Sequence, residues 1–168
     1  MRLITTLSHL SLCHWVHRLP MESTTVDSSE MYSQNPAHQQ WLEQFLQEFG
    51  AVAGSVHEER GNDLYLTAAL NLPSPVSAAV AFIPHGKGMA GLAQVRKAPV
   101  QTCNLQTDES GAVKPGAKAV NARAGIAVPV LSQSGEVLAV VGAAWMSEGE
   151  IAPEREAVIM QAASLLTL

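Results

Sequence analysis

Two runs near the C-terminus, Gly125–Gln133 and Glu136–Trp145, are apolar at almost every position and are joined by Ser134-Gly135. A strand with one face in water alternates apolar and polar residues. Here Val128, Val130 and Leu131, and then Val137, Leu138, Val140 and Val141, leave neither face polar. The Ser-Gly pair between them is a hairpin turn signal. A hairpin that is apolar on both sides must be covered on both sides. The rest of the chain therefore has to supply two layers around a central sheet.

The candidates for those layers are legible. Asn35-Pro36 pairs a good N-cap with a proline suited to the first helical position, and Gly50 is a stop signal. Between them Trp41, Leu42, Phe45, Leu46 and Phe49 share one helical face, which must be covered by the core or by a second copy. Residues 51–57 and 63–70 read as paired strands, with Glu58 to Asn62 as their turn. Ser74-Pro75 is expected to cap a short helix through about Phe82, with Val76, Ala79, Val80 and Ile83 on its inner face. Met89 to Arg96 reads as a helix and Pro99 to Leu105 as an extended segment. A last helix from Ala152-Pro153 carries an apolar stripe of Val158, Ile159, Ala162, Leu165 and Leu166. Residues 106–123 form a long polar loop, and loops of that length in compact domains are usually functional or mobile.

Composition narrows the function classes. A hydrophobic fraction of 47% over 168 residues supports one domain with a real core. The net charge of -5 and ten scattered basic residues argue against a nucleic-acid footprint. No run reaches the roughly 20 apolar residues of a membrane span. Two distant cysteines, Cys13 and Cys103, read as reduced thiols of a cytoplasmic protein rather than a disulfide framework. Residues 1–33 differ from all that follows: residues 1–20 lack any carboxylate, the stretch after them is rich in Ser and Thr, and Met21 and Met31 offer later starts. They are expected to be a disordered or over-extended leader, with one domain over residues 34–168.

The order Ile83-Pro84-His85-Gly86-Lys87-Gly88-Met89-Ala90-Gly91, then Pro99–Leu105, Ala124–Val130 and Glu136–Gly142, resembles a GAF domain over roughly Pro36 to Leu168. The resemblance implies an α/β fold (α+β in stricter use), with a central antiparallel sheet of five or six strands. Terminal helices would lie on one face, and pocket-forming loops, residues 84–92 and 104–123, on the other. It also implies a stand-alone sensory module that binds a small molecule and signals through a homodimer or a separate partner. Signatures of particular relatives are missing: there is no cyclic-nucleotide Asn-Lys-Phe-Asp-Glu set, and Cys103 is followed by Asn104, not the His of bilin attachment. Where free methionine-R-sulfoxide reductases carry a loop cysteine, this chain has Met89.

Gly86, Lys87 and Gly88 either cradle an anion at a helix N-terminus or simply permit a tight turn. With Met89, Cys103, Asn104, Asp108 and Arg123 they make the candidate ligand site. Asp108, Glu109 and Arg123 would orient a polar ligand at the mouth of an apolar pocket, or else be solvated loop charges. Cys103 carries the alternative of a thiol redox enzyme or sensor, and it has no second cysteine nearby to resolve a sulfenic acid. In a third reading the pocket is filled by its own side chains, Met89 and Leu92, and the domain is a dimerisation module. His57 and His85 lack metal-ligand spacing, and nothing in the sequence names a cofactor.

Overall fold

The computed structural model describes residues 34–107 and 122–168. Its elements are α1 (Pro36–Phe49), β1 (Ala53–Arg60), β2 (Asp63–Leu70), α2 (Ser74–Val80), β3 (Phe82–Ile83), α3 (Gly88–Arg96), β4 (Val100–Thr102), β5 (Ala124–Leu131), β6 (Val137–Trp145) and α4 (Pro153–Ala163). The leader expected over residues 1–33 lies outside the described residues.

The doubly apolar hairpin is β5–β6, and it sits inside a six-stranded sheet of order β3-β2-β1-β6-β5-β4. Every neighbouring pair is antiparallel. Each face of the hairpin has its own cover. On one side Leu42, Phe45 and Leu46 of α1, with Ile159 and Ala163 of α4 and Leu166 beyond it, pack on Val56, Ile126, Val128, Val130, Val141 and Ala143. On the other side α2 contributes Val76 to one small cluster, and α3 contributes Ala93 to another.

The first helix forms as its sequence directs. Asn35 Oδ1 accepts from the amides of Ala37 (3.0 Å) and His38 (3.4 Å), and Gly50 ends the helix at φ 62°. Trp41, Phe45 and Phe49 run along it with ring centroids 4.8 and 5.0 Å apart. Its last carbonyl, on Phe49, accepts from Trp145 Nε1 at 3.0 Å and from Arg155 Nη2 at 2.9 Å. A cation there suits the negative end of the helix dipole. Trp145 is thus buried under the helix layer.

Three local expectations change. Glu58 to Arg60 belong to β1, and the turn is the two residues Gly61-Asn62, with φ 63° and 78°. Two left-handed residues match the twist of a tight hairpin. The short helix ends at Val80, and its N-cap is Pro73, whose carbonyl accepts from Val76 and Ser77; Ile83 belongs instead to β3. In α4 the buried line is Ile159 and Ala163, continued by Leu166 after the helix ends, while Val158 and Leu165 are 54% and 72% exposed.

Gly54 of β1 lies directly against Leu46 of α1. A Cβ there would lie 2.6 Å from the Gly142 carbonyl oxygen and 2.7 Å from Leu46 Cδ2. Gly54→Ala is therefore expected to destabilise the fold by about 2 kcal/mol through overpacking, read as a lower midpoint in urea unfolding.

Candidate ligand-binding site

The side of the sheet away from α1 and α4 has an unusual floor. In a strand alternate residues share a face, and here the positions on that face are Ala53, Ser55 and His57 of β1, Gly142 and Ala144 of β6, and Gly125 and Ala127 of β5. Six of these seven are no larger than serine. Their neighbours on the opposite face are the bulky Val56, Ile126, Val128 and Val141. The floor is consequently low, and α2 and the β3–α3 loop bridge over it rather than settle onto it. A cavity of about 390 Å³ remains between them, within the size range of small-molecule pockets.

Val76, Ala79 and Val80 of α2 form one part of the roof, and Ile83, Pro84 and Met89 another. Met89 packs with both of the clusters on this face. The glycine loop explains how the roof is shaped. Gly86 and Gly88 have φ 71° and 64°, and a Cβ on Gly91 would lie 2.8 Å from the Gly86 carbonyl carbon. The first turn of α3 can fold back on its own approach only because these residues lack side chains. That contact brings the helix N-terminus, at Gly88, Met89 and Ala90, to the cavity. The loop is held from behind: His85 N donates to Asp63 Oδ1 (3.0 Å), and Gln94 Nε2 donates to the Asn62 carbonyl (2.8 Å).

Among the described residues, Ser55, His57 and Lys87 alone bring polar side chains to the lining. Lys87 is exposed, at the N-cap of α3. His57 is 2% exposed, and its Nε2 lies 2.9 Å from the Val80 carbonyl. A carbonyl only accepts, so Nε2 carries the proton and Nδ1 presents a lone pair. That Nδ1 is buried without a hydrogen-bond partner. Burial lowers the His57 pKa from 6.5 to about 4, with the bond to Val80 opposing the shift.

Of the residues named from sequence, Lys87, Gly88 and Met89 line this cavity. Gly86 shapes the loop without lining it. Cys103 is exposed and outside the lining, as are Asn104 and Arg123. Asn104 Nδ2 donates to Glu148 Oε1 at 3.0 Å, and Arg123 pairs with the same carboxylate. Asp108 and Glu109 lie outside the described residues. Leu92, named as a plug, packs beside the cavity in the α3 cluster. Among the described residues no three His, Cys, Asp or Glu side chains converge as metal ligands. Ser55 and His57 were missed as site residues, although their alternation with Ala53 along β1 was a usable signal.

A six-stranded antiparallel sheet with α1 and α4 on one face and a cavity under α2 and the glycine loop on the other defines an α+β domain. The GAF domain family model matches residues 38–168, and the chain belongs to that family. No sequence among the curated proteins matches it. Among solved structures it is similar to the type II free methionine-R-sulfoxide reductase of Thermoplasma acidophilum, at 18% identity and TM-score 0.61, over 76% of this chain and 85% of that one. It is similar to the GAF domain of an Acinetobacter phosphoenolpyruvate-protein phosphotransferase, at 19% identity and TM-score 0.60, over 82% and 83%. The nlh2 GAF domain of A. aeolicus in an inactive state gives 18% identity and TM-score 0.56, over 82% and 86%. At these identities the likeness is one of fold.

The His57 assignment has a measurable consequence. The unfolded ring titrates near 6.5 and the folded ring near 4, so folding excludes a proton between those values. The contribution is complete above pH 6.5 and is lost as pH falls toward 4. Between pH 7 and pH 5 urea unfolding should lose about 2 kcal/mol from this group, a loss that His57→Gln removes.

Proposed function

We propose that this domain is a regulatory module that binds a small molecule in the cavity under α2 and the glycine loop. The observation that carries the reading is the floor of Gly, Ala and Ser under a roof held away from it. A self-filled pocket is disfavoured for the same reason, because Met89 reaches the cavity and about 390 Å³ is still empty. The bound state would act through the other face of the sheet, where α1 and α4 lie together. Val158 and Leu165 on that layer are exposed apolar residues suited to a second copy or a separate partner. No helix among the described residues is long and apolar enough to cross a membrane, in keeping with a cytoplasmic setting.

The redox alternative has less support. Several solved neighbours are free methionine-R-sulfoxide reductases by name. In this chain the thiol of Cys103 is outside the cavity and Met89 occupies the loop position. Cys103→Ser is expected to leave ligand affinity unchanged and to abolish no turnover of methionine sulfoxide.

Thermal unfolding against a metabolite panel tests the leading reading. A ligand at about 100 times its dissociation constant adds roughly 2.7 kcal/mol, a rise of about 5–10 °C for a domain of this size. Ala144→Leu places a larger side chain at a half-buried position of the floor. It should abolish that rise while leaving the unliganded midpoint equal or higher. A panel without a single hit, or a hit that Ala144→Leu leaves intact, counts against this cavity as the binding site.

A further inference from the structure

The described lining of the cavity offers very few hydrogen bonds to anything that enters it. Its floor strands are central ones: β1 pairs with β2 and β6, and β5 pairs with β6 and β4. Their backbone groups are therefore committed to the sheet ladders. His57 Nε2 donates to the Val80 carbonyl at 2.9 Å, which occupies that roof acceptor as well. The other ring nitrogen, Nδ1, is fully buried and out of reach of a ligand. Burial also keeps the ring uncharged down to about pH 4. Ser55 adds a single half-buried hydroxyl. The remaining polarity lies at one end, where Lys87 is exposed and Gly88, Met89 and Ala90 are half-buried. Among the described residues no carboxylate lines the cavity.

Water is held poorly in such a space, because a buried water needs about three polar partners. An apolar body that displaces it is therefore favoured. Resting on the binding-module reading above, we propose that the cavity takes a neutral, largely hydrocarbon molecule and discriminates against charged metabolites. Its size follows from volume. An apolar cavity of about 150 Å³ takes up benzene, so this one has room for two fused rings or a branched chain of roughly ten to twelve carbons. An acid gains little from Lys87, since an exposed ion pair contributes little. A charge of either sign drawn inside loses its hydration and meets no partner of opposite sign there.

Three probes share one body and differ in charge: naphthalene, naphthoate and naphthylmethylammonium. Each would be titrated into the full chain at neutral pH, with isotope-labelled methionine methyl groups read by NMR. Met89 lines the cavity, and Met160 packs with the core on the opposite face and serves as the internal control. Met89→Leu assigns the Met89 signal. Naphthalene is expected to move the Met89 methyl saturably by its ring current while leaving Met160 in place. Naphthoate and naphthylmethylammonium should bind at least about tenfold more weakly. Ala144→Leu, at the floor, should abolish the Met89 shift. Naphthoate binding as tightly as naphthalene would overturn the neutral class while leaving the cavity as a binding site, and loss of that binding in Lys87→Ala would show an acid to be its ligand. A Met89 methyl that ignores naphthalene but moves with a polar hit from the metabolite panel would overturn the class and spare the binding-module reading. A methyl that moves with neither would overturn both.

Discussion

Burial of the β5–β6 hairpin on both faces is the constraint from which the rest of the architecture follows. A strand pair with no polar side cannot be left at a surface, so the chain must place a layer on each side of it. The two sides are not equally bulky. Toward α1 and α4 the hairpin presents Ile126, Val128, Val130 and Val141, and the helices pack tightly onto them. Toward α2 and α3 it presents Gly125, Ala127, Gly142 and Ala144 beneath the cavity, with Val137 and Val140 farther along. One face is a core and the other is largely a recess, and the difference is written in side-chain volume at alternate positions of the same strands.

That division also says what was legible in advance. The layers, the sheet and the glycine loop followed from patterns with long reach: helical spacing in α1, continuous apolarity in β5 and β6, and a Gly-rich entry to α3. The local errors lie where two short-range signals compete. Ser74 looks like a cap, yet the Pro73 carbonyl takes that role and the Ser74 side chain makes no cap bond. Val158 and Leu165 look like members of a stripe, but α4 stops at Ala163 and its buried line runs through Ile159 instead. Part of the candidate site was legible because glycine at positive φ has few other uses. Ser55 and His57 were harder to see, since a polar residue in a strand shows its role only once the register fixes which face it occupies.

Cys103, Asn104 and Arg123 show why proximity in sequence to a functional loop is a weak guide. All three flank the polar loop, but β4 and β5 end at an edge where Glu148 gathers Asn104 and Arg123 into a surface cluster. Their charges and hydrogen bonds are spent on joining the loop base to the segment after β6. Among the described residues that flank the loop, the cavity takes Leu105 and Gly125 instead.

Strand β6 runs under the recess and ends at the helix layer within a single residue step. Ala144 faces the empty side, and Trp145, its neighbour, turns the other way to hold the last carbonyl of α1. Arg155 of α4 grips the same oxygen. The cavity floor at Ala144 and a joint shared by the first and last helices thus lie one peptide bond apart.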